Sequence, residues 1–193
     1  MVLVRSLQQL RWRLGWWRQR RRLAAIEVVV LDVDGVLTDG GLWYGPEGEL
    51  SKRFDVRDGL GIRLLQHAGI EVAFLSGGRG GATEVRARHL GIRHCLVGAQ
   101  DKPFALSQLC RQLGVSREAL LFVGDDLNDL AVRDAVALLV ATADAAPPLR
   151  QQADAVLLQR GGRGAVRELA ERLLRARGTW ASLSREGWRD RND

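Results

Sequence analysis

From Glu27 onward, six short runs rich in Val, Leu and Phe alternate with stretches of helical period. Strands buried on both faces read as continuous apolar runs, and a strand–helix–strand rhythm is the mark of a parallel sheet covered by helices. The runs predict strands over residues 27–31, 71–75, 94–97, 120–123, 137–140 and 155–158. Apolar spacing predicts helices over 60–68, 82–90, 102–113, 127–134, 147–153 and 165–177. Gly69, Gly91 and Gly114 follow the first three helices, where a left-handed C-cap residue is wanted. The expected class is α/β: a Rossmann-like parallel sheet with helices on both faces.

Residues 40–56 break this rhythm. Leu42, Trp43 and Tyr44 precede Gly45-Pro46-Glu47-Gly48, and a second apolar stretch runs from Leu50 to Phe54. Two strands around a Gly/Pro turn form an inserted β-hairpin. A length of 193 residues suits one domain with short extensions. The expected division is a basic arm over 1–26, the α/β domain over 27–177, and a tail over 178–193.

The net charge of +6 is concentrated in the arm. Arg5, Arg11, Arg13, Arg18, Arg20, Arg21 and Arg22 stand there without one acidic residue. Removing these seven from the 29 basic residues leaves 22 against 23 acidic ones, so the remainder is nearly neutral. A basic patch spread over the domain, as nucleic-acid binding would need, is therefore not expected. Leu7, Leu10, Leu14 and Trp17 recur at helical spacing, which makes the arm a basic amphipathic helix. Such a helix packs on its own domain or on another subunit, lies on an anionic membrane surface, or touches nucleic acid; packing is the preferred reading. The C-terminal tail either folds over a neighbouring site or stays disordered.

No stretch approaches the roughly 18 consecutive apolar residues of a membrane span, and the start lacks the apolar run of a signal peptide. A cytoplasmic location is expected. Cys95 and Cys110 are too few for a disulfide framework and too far apart for a metal knuckle, so both read as buried thiols. His67, His89 and His94 have no ligand spacing. The Gly161-Gly162-Arg163-Gly164 stretch either cradles an anion or serves loop geometry.

Chemistry concentrates at strand ends. The first strand delivers Asp32-Val33-Asp34-Gly35 at its carboxyl end, the edge where open α/β sheets bind ligands. Carboxylates two residues apart in an extended chain point the same way. One can attack phosphorus while the other protonates the leaving oxygen and then activates water. Asp32 suits the first role and Asp34 the second. A second acidic cluster, Gly124-Asp125-Asp126-Leu127-Asn128-Asp129, follows another apolar run. Magnesium prefers oxygen ligands from one or two carboxylates with phosphate and water, so Asp32, the Asp34 carbonyl and Asp125 form a fitting Mg2+ site. The spacing and terminal Glu of a calcium loop are missing. Asp126 and Asp129 are supporting groups or charges favouring a helix N-terminus.

Phosphoryl transfer also needs donors around the phosphate oxygens. Ser76, with Gly77 and Gly78 after it, ends a strand, and Lys102 opens a helix ahead of Pro103. The chain has only two lysines among many arginines, which suggests that a compact point charge is wanted at Lys102. The alternatives are a helix cap for Ser76 and a solvated surface residue for Lys102.

Asp32 with Asp34, then Ser76, Lys102 and Asp125, in that order, resemble the four-motif pattern of the haloacid dehalogenase superfamily of phosphatases. Only 41 residues separate Asp34 from Ser76 and 25 separate Ser76 from Lys102, too few for a cap domain in either gap. The stretches LDVDGVLTDG, FDVRDGLGI, LGI, GDDLND and GGRGAVRE are similar to the capless 3-deoxy-D-manno-octulosonate 8-phosphate phosphatases. That resemblance implies a Mg2+-dependent phosphoric monoester hydrolase with Asp32 as nucleophile, Asp34 as acid/base and Asp125 as metal ligand. It further implies a sugar acid phosphate substrate, service in lipopolysaccharide synthesis, and a homotetramer assembled through the hairpin, with a neighbouring subunit closing each site. By the same resemblance Arg57, Asp58 and Gly59 lie near the phosphate or sugar; a helix start with a solvated charge pair is the alternative. The family commonly has Thr or Ser, then Gly, then Arg at the second motif. Here Gly78 takes the arginine place; either Arg79, one residue later, supplies the guanidinium, or the sugar is held differently.

Two other functions fit parts of the pattern. A phosphatase for a related nine-carbon sialic-type acid 9-phosphate would use the same motifs. A non-catalytic tetramerisation module of a sugar-nucleotide pathway would share the fold, yet it would not need Asp32, Asp34, Ser76, Lys102 and Asp125 all intact.

Overall fold

The computed structural model describes residues 16, 18–48 and 50–187. Short helix α1 (Arg20–Ala24) leads into strand β1 (Val28–Leu31), and a hairpin of β2 (Trp43–Tyr44) and β3 (Leu50–Ser51) follows. Then come α2 (Val56–His67), β4 (Glu71–Leu75), α3 (Ala82–His89), β5 (His94–Leu96), α4 (Lys102–Leu113) and β6 (Leu120–Gly124). A 3-10 turn (Arg117–Ala119) precedes β6, and a 3-10 segment (Leu127–Ala135), β7 (Leu138–Ala141), α5 (Pro147–Gln152), β8 (Ala155–Val156), α6 (Ala165–Ala176) and α7 (Trp180–Glu186) complete the order.

Six strands form one parallel sheet in the order β5-β4-β1-β6-β7-β8. Side chains alternate between its faces. Val29, Leu31, Val72, Phe74, Leu121 and Val123 pack on one side with Ile62 and Leu65 of α2 and Leu169 and Leu173 of α6. Val28, Val30, Ala73, Leu75, Leu120 and Phe122 pack on the other with Leu106 and Leu109 of α4. Burial of β1 on both faces is why its sequence is unbroken Val-Val-Val-Leu. The chain leaves β1 toward β4 and β5, then returns to β6 on the other flank. The strand order thus reverses around β1, which opens a crevice at its carboxyl end.

Differences from the sequence expectation are local. Helix α2 starts at Val56 rather than residue 60, because Asp55 caps it by accepting the Arg57 N–H at 2.8 Å. The segment expected as a helix after β6 winds as a 3-10 helix, and β8 is two residues shorter than expected. Gly69, Gly91 and Gly114 adopt the positive φ expected after helices. The hairpin pairs Trp43 with Ser51 and Tyr44 with Leu50, and its turn closes with the Gly48 N–H on the Gly45 carbonyl at 3.0 Å.

Leu7, Leu10, Leu14 and Trp17 lie outside the described residues. The described part of the arm packs on the domain: Trp16 is buried, its Nε1 donates to the Val156 carbonyl at 3.1 Å, and the Arg172 guanidinium lies 4.4 Å from its ring centre. In the tail, Trp180 opens α7 and stacks near Arg167 and Arg175. Cys95 and Cys110 are half-buried free thiols, each with its pKa raised by burial. Among the described residues no helix is long and apolar enough to cross a membrane.

Candidate active site

Register brings the strand ends together. Leu31 pairs with Phe74 on one side and Val123 on the other, so the residues leaving β1, β4 and β6 meet at one edge. A cavity of about 380 Å³ opens there, lined among others by Asp32, Asp34, Gly35, Ser76, Gly77 and Asp125. A larger cavity of about 520 Å³ lies at the opposite edge, among Glu27, Arg63, Glu71 and Arg93. Its Glu71 is ion-paired with Arg93, and its two carboxylates sit at the amino ends of β1 and β4 rather than at the carboxyl edge, so size does not decide where the chemistry sits.

Asp32 is buried, and its rotamer is fixed from two directions: Oδ1 accepts the Val33 N–H at 2.7 Å and Oδ2 accepts from Lys102 Nζ at 3.0 Å. Lys102 Nζ also donates to Asp129 Oδ1 at 2.5 Å, so the lysine bridges two carboxylates from β1 and from the loop after β6. Burial works against the ammonium charge, but the two aspartates outweigh it and raise the Lys102 pKa. A solvated surface role for Lys102 is thereby replaced by a buried ion pair.

Oxygen atoms of Asp32, Asp125 and Asp129 all lie within 4.8 Å of one another. Burial, then repulsion from Asp129, raises the Asp32 pKa to about 6, with Lys102 pulling the other way. Burial and then repulsion from Asp32, Asp129 and Asp126 raise Asp125 to about 8. One ammonium does not balance this cluster, and a divalent cation among hard oxygen donors would. Asp129 is already committed: Oδ1 takes Lys102, and Oδ2 accepts the N–H groups of Asp125 at 2.8 Å and Asp126 at 3.3 Å. It shapes the loop that carries Asp125, which leaves Asp32 and Asp125 as the carboxylates freest to hold a cation. Asp126 is exposed at the cavity rim and caps the 3-10 segment through the Leu127 N–H at 2.7 Å.

Ser76 is buried at the end of β4, and its Oγ accepts the Gly78 N–H at 3.1 Å. It is not a helix cap, since α3 begins only at Ala82. Backbone bonds from Gly98 to Gly78 and from Ala99 to Ser76 hold this loop against the cavity. Arg79 stands exposed just beyond it and is not among the residues lining the cavity.

Arg57, Asp58 and Gly59, expected near the phosphate or sugar, do not line this cavity within one copy of the chain. Asp58 is buried, with its oxygens accepting the N–H groups of Gly164 at 3.1 Å and Arg167 at 2.9 Å, so it caps α6. Gly59 is buried inside α2, and the exposed Arg57 pairs with the buried Asp55. The glycines at 161 and 162 serve packing: an added Cβ at Gly161 would lie 1.8 Å from the Gly35 carbonyl oxygen, and one at Gly162 would lie 2.4 Å from the Thr38 backbone. No histidine lines the cavity.

Lys52 also belongs to the site, although neither strand ends nor apolar periodicity mark it. It follows β3, and its Nζ donates to Asp34 Oδ2 at 2.8 Å and to Thr83 Oγ1 at 3.3 Å. The chain's only two lysines therefore both end on site aspartates. Lysine is as rare at position 52 as at position 102 in this arginine-rich chain, and that rarity is the signal that marks Lys52.

The sequence pattern of haloacid dehalogenase-like hydrolases matches residues 48–133. The 3-deoxy-D-manno-octulosonate 8-phosphate phosphatase of Escherichia coli K12 is 46% identical over 153 residues, 79% of this chain and 81% of that one. The chain belongs to the 3-deoxy-D-manno-octulosonate 8-phosphate phosphatase family of haloacid dehalogenase-like hydrolases. Two solved members of this family have the same architecture. The Moraxella catarrhalis phosphatase, in complex with magnesium, phosphate and KDO, superposes with a TM-score of 0.85 at 32% identity, covering 88% of this chain and 97% of that one. The cobalt-bound Haemophilus influenzae phosphatase gives 0.81 at 42% identity, over 83% and 94%. Like these members, the chain has the parallel α/β core without a cap domain.

Proposed function

We propose that the chain hydrolyses 3-deoxy-D-manno-octulosonate 8-phosphate to the free sugar acid and inorganic phosphate, supplying lipopolysaccharide synthesis. The observation that carries this reading is the meeting of Asp32 and Asp125, from two different strands, beside Ser76 and Lys102. Asp32 attacks phosphorus, forming an Asp32–phosphate bond as the bond from phosphorus to the sugar oxygen breaks. Asp34 gives its proton to that departing oxygen. Water then passes a proton to Asp34 and attacks phosphorus, which releases phosphate and restores both carboxyl groups.

Lys102 holds the Asp32 carboxylate in one rotamer, and Ser76 with the backbone of Gly77 faces the incoming phosphate oxygens. Asp32, the Asp34 carbonyl and Asp125 would hold Mg2+. When bound, the cation offsets the repulsion between these carboxylates and the phosphate dianion and polarises the phosphoryl group. The magnesium named for the Moraxella catarrhalis relative supports that assignment.

Copies of the chain associate through the hairpin as a homotetramer. Trp43 and Tyr44 are each 71% exposed, and Leu42, Val56 and Val85 add apolar surface nearby. Arg57 and Arg79, exposed in one copy, are then available to a neighbour's substrate.

The test is phosphate release from eight-carbon and nine-carbon sugar acid phosphates, with magnesium and with chelator, beside Asp32→Asn. Preference for the eight-carbon ester, dependence on magnesium and an inert variant are expected. Preference for the nine-carbon ester would reassign the substrate, and activity retained in Asp32→Asn would refute the chemistry.

A further inference from the structure

We propose that Lys52, delivered by the hairpin, is a positioning residue for the acid/base step: it grips the Asp34 carboxylate by one oxygen and so fixes the direction in which Asp34 faces the cavity. The inference rests on the reading of Asp34 as acid/base.

Lys52 is placed as few lysines are. Its side chain is 1% exposed, although it lies only one residue past a two-stranded hairpin whose own side chains are largely open to solvent. Lysine is almost never buried this far without a partner. Its partners are Asp34 Oδ2 and the hydroxyl of Thr83, itself fully buried in the first turn of α3. The ammonium is therefore anchored to a helix that belongs to the core. Asp34 Oδ1, by contrast, is enclosed and has no hydrogen-bond partner among the described residues. A carboxylate tethered through one oxygen, with the other enclosed and unengaged, has a fixed direction.

Gly78 belongs to the same arrangement. A Cβ there would lie 3.1 Å from Asp34 Oδ2 and 3.8 Å from Lys52 Nζ, so glycine leaves clearance where the two charged groups meet. The tether also ties the acid/base residue to the hairpin, so the hairpin contributes to the site as well as to the surface.

In the first half-reaction Asp34 donates its proton to the sugar oxygen as the phosphorus–oxygen bond breaks. An alkoxide leaves poorly without that proton, whereas p-nitrophenolate needs little help. A residue that acts by aiming Asp34 must therefore matter for alkyl esters far more than for p-nitrophenyl phosphate. The constant kcat/KM reports steps through formation of the Asp32–phosphate bond, which keeps later hydrolysis out of the comparison.

The experiment measures kcat/KM of the full chain with magnesium for the sugar acid phosphate and for p-nitrophenyl phosphate, in the wild type, Lys52→Met, Lys52→Gln, Asp34→Asn and Asp34→Asn/Lys52→Met. Lys52→Met should lose about 100-fold on the sugar phosphate and less than about fivefold on the aryl ester. Added to Asp34→Asn, it should cost nothing more on the sugar phosphate, because its target is already gone. Equal losses on both esters, or a further loss in the double variant, would overturn the role of Lys52. Circular dichroism checks folding, and Lys52→Gln carries the same comparison if the methionine variant does not fold. Full activity of Asp34→Asn on the sugar phosphate would instead refute the assignment of Asp34.

Discussion

Gly35 backs directly onto Asp125: a methyl carbon built on Gly35 would lie 1.9 Å from Asp125 Oδ2, and Gly35 has a φ of +84°. The loop carrying the acid/base residue and the loop carrying the proposed cation ligand approach this closely only because one of them has no side chain. Gly35→Ala should displace Asp125 by an ångström or more and lower kcat about 100-fold. The left-handed backbone should cost stability by about 1 kcal/mol. Steady-state kinetics with a thermal melt check both, and near-normal activity would contradict this reading of the loop contact.

Asp58 predicts a separation of stability from catalysis. It caps α6 from 106 residues away and does not line the cavity. Asp58→Ala should destabilise the fold by about 2 kcal/mol, since it strands one buried and one partly buried N–H group at the start of α6. The KM for the sugar phosphate should stay within about twofold. A large rise in KM with unchanged stability would return Asp58 to the substrate.

The same residue gives a pH signature. Burial lifts its pKa from 3.8 to about 6, only partly offset by the N–H groups of Arg167 and Gly164. A carboxyl whose folded-state value is raised stabilises most below its unfolded pKa, and that stability is lost as pH rises through about 6. Asp58→Asn does not titrate, so its unfolding free energy should gain on the wild type between pH 4 and pH 7. Denaturant melts at the two values test this, and a gain in the reverse direction would contradict it.

Cation binding should show without turnover. Magnesium at millimolar concentration should raise the melting temperature of the wild type through linkage, and Asp125→Asn should abolish the shift. An equal shift in the variant would place the ion elsewhere.

Much of this was legible in the sequence, for physical reasons. Strands β1, β4 and β6 are buried on both faces, so each is a local apolar run, and Asp32, Asp34, Ser76 and Asp125 sit within a residue or three of a strand end. Their place in the site follows once the strands are known. Lys52 and Asp58 were not legible in this way. The role of Lys52 depends on the hairpin folding back to put it on Asp34, 18 residues earlier, and Asp58 is committed to backbone groups more than 100 residues later. The 3-10 winding after β6 likewise depends on the Asp129 side chain turning back to the N–H groups of Asp125 and Asp126, a contact that apolar periodicity does not register.

Covalent capture tests the central claim most directly. Protein mixed with 32P-labelled sugar acid phosphate and magnesium, then quenched in acid within milliseconds, should carry label on the Asp32 peptide that hydroxylamine releases. Asp32→Asn should carry none. Phosphate release at the wild-type rate with no labelled protein at any quench time, or label on Asp32→Asn equal to wild type, would contradict an aspartate attacking phosphorus at the end of β1.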